Sequence, residues 1–229
     1  MLLRTFKRFL TALGASLPDR AIYGLQMTVN YIRLGRWMKT QGFRFPRRFP
    51  RREQVFASVA EGIKDRRVLY LEFGVFRGSS MRWWSQTLTH PQSQLHGFDS
   101  FEGLPEAFHG AGGKYAKGHY STRGQTPQMD DPRVRFVIGW FEQTLPLYEL
   151  PEHDVLVIML DAGLYSSTFY VLHQLRPWIT PATYVYFDNM SRPDHEPRAM
   201  EEFMQETGLK FRPLAADVTL NNAFFVCEG

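Results

Sequence analysis

Arg67-Val68-Leu69-Tyr70-Leu71-Glu72-Phe73-Gly74-Val75-Phe76-Arg77-Gly78-Ser79-Ser80 decides the architecture. Apolar residues at consecutive positions up to Phe73 read as a strand buried on both faces, the pattern of a parallel sheet. Gly74 and Gly78 then supply a tight turn that a ligand can approach closely, and a helix is expected over Ser79–Thr89. The spacing is not G-x-G-x-x-G, so a dinucleotide pyrophosphate is disfavoured. Glu72 ends the strand with a carboxylate suited to a cationic ligand. Taken by itself, the turn is equally compatible with a purely structural elbow.

Downstream, strands are expected at Gln94–Asp99, Arg133–Ile138, Asp154–Leu160 and Thr183–Phe187, with helices near 166–177 and 195–207 and final strands near 209–214 and 222–227. Strand–helix alternation of this kind predicts a doubly wound, mostly parallel sheet. Upstream, residues 2–13 form an amphipathic helix with Leu2, Leu3, Phe6, Phe9, Leu10 and Leu13 on one face and Arg4, Lys7 and Arg8 opposite. A second helix is expected over 19–40 with Asp19 as its N-cap, then a proline- and arginine-rich connector over 43–52, then helix over 51–64. We divide the chain into a basic helical arm, residues 1–64, and an α/β domain, residues 65–229. Residues 103–133 are a long insertion rich in Gly, Lys, Thr and Asp, the length of a lid or a mobile loop.

In an open α/β sheet, ligands sit beyond the carboxyl ends of the strands. Phe98-Asp99-Ser100-Phe101 puts a carboxylate where ribose hydroxyls would bind, although Asp is also common in turns. Gly139-Trp140-Phe141 offers aromatic walls for a base, or ordinary core aromatics. Asp161 and Asp188 each follow a buried strand, and could share a polar site or cap the next helices.

The 229 residues carry a net charge of +4, unevenly: residues 1–52 hold +11 and the remainder −7. The arm is therefore expected either to lie against the acidic body or to touch an anionic surface. No nucleic-acid recognition motif is present and the body is acidic, so nucleic acid is not an expected partner. The single cysteine, Cys227, excludes a disulfide framework and fits a buried strand position. Arg4, Lys7 and Arg8 break any leader-like apolar run, and a cytoplasmic location is expected.

Four blocks together resemble the macrocin O-methyltransferase family: Glu72–Gly78, Gly97–Glu106, Gly139–Pro146 and Leu160–Thr168, in that order. The resemblance runs from about Val68 to the C-terminus and is not evident over residues 1–60. It implies a Rossmann-like sheet of the class I methyltransferase type, closed by a C-terminal antiparallel strand. It also implies O-methylation of a sugar or natural-product hydroxyl using S-adenosylmethionine and magnesium. By resemblance the cofactor contacts are Glu72, Phe73, Gly74, Val75, Gly78, Ser79, Ser80, Asp99, Ser100, Phe101, Gly139, Trp140, Phe141 and Asp161. The metal ligands are Asp161, Asp188 and Asn189, and Asp161 is the catalytic group.

Two positions depart from the family pattern. Its Asp-x-Asp-Leu-Tyr motif, whose second Asp is the general base, reads Asp161-Ala162-Gly163-Leu164-Tyr165 here, and a neutral Asn189 replaces the second acid of the later pair. Two readings follow. One is an active methyltransferase relying on Asp161, a metal, or a histidine such as His119 or His195. The other is a non-catalytic S-adenosylmethionine binder. Residues 2–13 are expected to dock on the domain or a second copy, or to rest on an anionic membrane surface.

Overall fold

The computed structural model describes residues 2–110 and 113–229. Residues 111 and 112 of the insertion, and Met1 of the arm, lie outside the described residues. In chain order the elements are α1 (Leu2–Ser16), α2 (Asp19–Gln41), β1 (Arg48–Phe49), α3 (Arg52–Ala60), β2 (Val68–Phe73), α4 (Ser79–Thr87), β3 (Gln94–Asp99), β4 (Phe108–Gly110) and β5 (Gly113–Tyr115). They continue as β6 (Val134–Ile138), α5 (Phe141–Thr144), β7 (Val155–Leu160), α6 (Tyr165–Leu175), β8 (Tyr184–Phe187), α7 (Glu196–Thr207), β9 (Phe211–Asp217) and β10 (Ala223–Cys227).

Eight strands form one sheet in the order β1-β9-β10-β8-β7-β2-β3-β6. The run β8-β7-β2-β3-β6 is parallel, and β10 lies antiparallel to both β8 and β9. Chain order reverses direction at β2, which makes its carboxyl end the switch point where such sheets bind ligands. Side chains alternate across each strand. Leu69, Leu71 and Phe73 join one apolar layer with α6 and α7, while Val68 and Tyr70 face the other, with α3 and α4. Glu72 shares the side of Tyr70.

The expected strands and helices of the α/β region are present, most within one or two residues. The exception is β9, expected near 209–214 but spanning 211–217, because its second half, Ala215-Ala216-Asp217, lacks a strand-like composition. Asp19 is the first residue of α2 rather than its N-cap. That position is held by Pro18, which makes no side-chain cap, and its fixed φ suits the entry to a helix. Within the expected connector, Arg48–Phe49 pairs in parallel with Ala216 and Asp217, adding an edge strand. The insertion carries the β4–β5 hairpin. Cys227 is buried in β10, as its composition suggested.

The arm divides into two physical regimes. Leu34 and Trp37 of α2, together with Phe43, enter the core. Arg33 pairs with Asp194 at 2.5 Å, and the Tyr31 hydroxyl donates to the Thr219 carbonyl at 2.9 Å. α1 has no buried residue, and its apolar face, Leu2 to Leu13, is 41–90% exposed. No helix among the described residues is long and apolar enough to cross a membrane.

Candidate functional site

The sheet ladder runs one residue past the strands. Phe98 O accepts from Gly74 N at 3.0 Å, Phe73 O from Asp161 N at 2.9 Å, and Leu160 O from Asp188 N at 2.9 Å. This registers Gly74, Asp161 and Asp188 side by side at one edge. Gly74 has φ +92, and a Cβ there would lie 2.2 Å from the Asp161 carbonyl oxygen. Only glycine therefore allows the turn after β2 to press against the end of β7.

Above this edge lies a cavity of about 520 Å³. Of the residues expected at the cofactor or metal, it is walled by Glu72, Gly74, Val75, Ser79, Ser80, Asp99, Ser100, Gly139, Trp140, Phe141, Asp161, Asp188 and Asn189, and Gly163 stands among them. Three expected residues stand elsewhere. Phe73 alternates to the opposite side of β2 and stacks on Phe98 at 4.8 Å. Gly78 caps α4, packed against Pro127 and Met129. The Phe101 ring is buried against Phe136. Neither His119 nor His195 lines the cavity.

Asp99 binds its own backbone. Its Oδ2 accepts from Val75 N and Phe76 N, both at 2.8 Å, and its Oδ1 from Phe101 N at 2.7 Å. The carboxylate thus staples the glycine turn to the end of β3. Each charged hydrogen bond is worth about 1.5–3 kcal/mol. Asp99→Ala is therefore expected to lower unfolding stability by about 3 kcal/mol, measurable by urea denaturation, and to loosen the cavity wall along with it.

Glu72 is 2% exposed. The Tyr70 hydroxyl donates to its Oε2 at 3.0 Å. Burial pushes its pKa up to about 8, against the opposing pull of Tyr70 and Arg52. Burial, then the neighbouring Asp188, raise Asp161 as well, and burial raises Asp188 against the pull of Arg52.

A sequence profile described as macrocin O-methyltransferase (TylF) matches residues 51–221. The chain belongs to the macrocin O-methyltransferase family. Among curated relatives, an 8-demethyl-8-(2,3-dimethoxy-alpha-L-rhamnosyl)-tetracenomycin-C 4'-O-methyltransferase of Streptomyces olivaceus is 32% identical, covering 52% of this chain and 51% of that one. Demethyldecarbamoylnovobiocin O-methyltransferase of Streptomyces niveus is 31% identical, covering 40% of this chain and 39% of that one. The chain thus spans about half the length of the first relative and less of the second. The O-methyltransferase NovP has the same fold, with a TM-score of 0.57 at 24% identity over 77% of this chain and 78% of that one. So does the calicheamicin methyltransferase CalS11, with 0.55 at 21% identity over 76% of each chain. The family match begins at residue 51, upstream of the expected start near Val68, and so takes in α3.

The magnesium implied by family membership meets a poor donor set. A hard dication of this size demands near-octahedral oxygen ligation. Asp188 already accepts from Asn189 Nδ2 at 3.2 Å, and the Tyr186 hydroxyl lies 3.1 Å from its other oxygen. Asn189 thus turns its amide nitrogen toward the acid and serves Asp188 as a donor. Among the described residues, no cluster of three His, Cys, Asp or Glu side chains could hold a metal.

Sequence reading missed Arg52, Tyr120 and Glu142, which also line the cavity. Arg52 sits in a run of basic residues with nothing to distinguish it. Only the β1–β9 pairing, across more than half the chain, brings it to the acidic edge.

Proposed function

We propose that the chain is an S-adenosylmethionine-dependent O-methyltransferase acting on a hydroxyl of a sugar or natural-product-like acceptor. The observation that carries this reading is the meeting of Glu72, Asp161 and Asp188 in one cavity at the switch point of a family-matched fold. Glu72 faces the cationic end of the cofactor, and Trp140 and Phe141 flank its base. The acceptor oxygen attacks the sulfonium methyl in line, the S–CH3 bond breaks as the O–CH3 bond forms, and neutral S-adenosylhomocysteine leaves. The hydroxyl proton passes to Asp161, which shares it with Asp188. Positioning supplies much of the acceleration, and the half-buried carboxyl pair is the base.

Calorimetry with S-adenosylhomocysteine tests the cofactor, and transfer of labelled methyl from S-adenosylmethionine to a panel of hydroxylated glycosides tests the reaction. Absence of binding by folded protein at high micromolar ligand refutes the reading. Binding without transfer to any member supports the second reading, a non-catalytic binder, which Gly163 and Asn189 favour. Gly163 has φ +73, a conformation Asp tolerates better than most residues. Gly163→Asp should create or raise transfer if the site is otherwise intact.

The exposed face of α1 supports a further assignment, contact with an anionic lipid surface, which complements the +11 arm. Phe6→Ser/Phe9→Ser in the full chain leaves the buried Leu34 and Trp37 untouched. This variant is expected to stay in solution when vesicles containing phosphatidylserine sediment the parent. Equal behaviour of the two chains, or a concentration-dependent dimer that the substitutions dissolve, refutes lipid contact.

A further inference from the structure

The cavity wall contains five acids, Glu72, Asp99, Glu142, Asp161 and Asp188, and, among the described residues, a single cationic side chain, Arg52. We infer that the Arg52 guanidinium is the built-in counter-charge of the Asp161–Asp188 pair, standing where this chain's donor set fails to hold a divalent cation. The inference deepens the proposed function of the same site, but it concerns the protein's charge rather than its cofactor.

The position of Arg52 is fixed from below. It is the first residue of α3, whose Val55, Phe56, Val59 and Ala60 are buried. The chain enters α3 directly from β1, which is paired to β9, and Phe49 O accepts from Val218 N at 2.8 Å. The side chain is steered as well. Nη2 donates to Ser79 Oγ at 2.8 Å, the guanidinium carbon lies 5.9 Å from the centre of the Phe56 ring, and Nη1 stands 3.7 Å from Asp161 Oδ2. A guanidinium suits this place because it is planar, always charged and weakly hydrated. Two neighbouring carboxyls with no cation nearby would be strongly disfavoured in the ionised form. Arg52 supplies one permanent positive charge without the six oxygen ligands a dication requires.

The substitutions in the motif fit the same account. Gly163 removes one carboxylate and Asn189 replaces another, so the two acids left at the strand ends and one arginine sum to −1. A third or fourth acid there would leave −2 or −3 and call for a dication. Arg52 acts through Asp161 and is therefore a positioning residue.

The test needs neither cofactor nor acceptor, so its failure is separate from failure of the methyltransferase reading. Parent protein, Arg52→Lys and Arg52→Met are titrated with MnCl2 at neutral pH, and the free Mn2+ signal is read by electron paramagnetic resonance. The parent and Arg52→Lys are expected to leave Mn2+ free. Arg52→Met is expected to bind it at least about tenfold more tightly, because removing one partner leaves the half-buried carboxyl charge uncompensated, and added Asp161→Asn should abolish the gain. Specific Mn2+ binding by the parent, lost in Asp161→Asn, overturns the inference, and so does folded Arg52→Met that gains nothing. Should Arg52→Met fail to fold, the parent and Arg52→Lys titrations decide: no binding by either supports the inference, and binding lost in Asp161→Asn overturns it.

Discussion

Glu72→Gln is expected to weaken S-adenosylhomocysteine binding about 100-fold and to erase its pH dependence. The magnitude follows from the burial of the group. Removing one partner of a buried, hydrogen-bonded charge pair costs about 2–5 kcal/mol, and each 1.4 kcal/mol is about tenfold. The pH dependence follows from its ionisation. Burial holds the Glu72 pKa at about 8 before ligand arrives, so at neutral pH the carboxyl is largely protonated. An ammonium-bearing ligand selects the ionised form, and binding must expel a proton. Parent affinity therefore rises with pH, by up to about tenfold per unit below pH 8, and levels off above it. Calorimetry at pH 6.5 and 8.5, in buffers of different ionisation enthalpy, reads both the affinity and the proton released. An affinity flat across that range, with no proton release, contradicts the role given to Glu72.

The place of Glu72 at the cavity was legible in the sequence for a local reason. A buried apolar run, a terminal acid and a glycine turn are written within one dozen residues, and the sheet needs nothing distant to shape them. The same locality served Asp99, Asp161 and Asp188, each the last or next residue of a buried strand. Period-two alternation would also have removed Phe73 from the expected wall, since Glu72 and Phe73 must face opposite sides. Gly78 and Phe101 stand outside the cavity wall for another reason: both belong to turns packed by distant partners, Gly78 beside Met129 and the Phe101 ring against Phe136. What stayed illegible depends on long-range pairing. β1 is two residues long and meets β9 more than 160 positions later, a contact that leaves no periodic trace. Arg52 inherits its place from that pairing, and so the cation of the site was unreadable while its acids were not. The exposure of α1 is a converse case. Its amphipathic pattern was plain, and only coordinates could show that the domain leaves its apolar face uncovered.

Raising the pH from 6.5 to 8.5 should destabilise the protein, and Glu196→Gln should remove much of that loss. Glu196 opens α7 with no exposed surface. Two forces compete for its proton. A helix N-terminus favours the anion by about 0.3–2 kcal/mol, whereas burial disfavours it. Burial wins, and with help from nearby Asp188 it lifts the pKa to about 8 from an ordinary 4.5, against the pull of Arg192. A difference of that size is worth about 1.4 kcal/mol per unit, near 5 kcal/mol in all. Between pH 4.5 and 8 the folded protein binds more protons than the unfolded chain. The contribution of Glu196 to stability is therefore full below about 4.5 and drains away as pH rises toward 8. Glu72, likewise near 8, adds a slope of the same sign. His96 opposes them, because burial lowers its pKa from 6.5 to about 4, but most of that gain is complete by pH 6.5 and only about 0.4 kcal/mol of it falls within the window. Urea unfolding should then show the parent losing about 2–4 kcal/mol over those two units. Glu196→Gln keeps the shape of the side chain without its titration and should show about half that slope, with the advantage over the parent growing as pH rises. A parent whose stability is level or climbs across the window would mean that Glu196 is already ionised in the fold. The neutral, buried acid at the head of α7 would then be the wrong account of how that helix is held beneath Asp188.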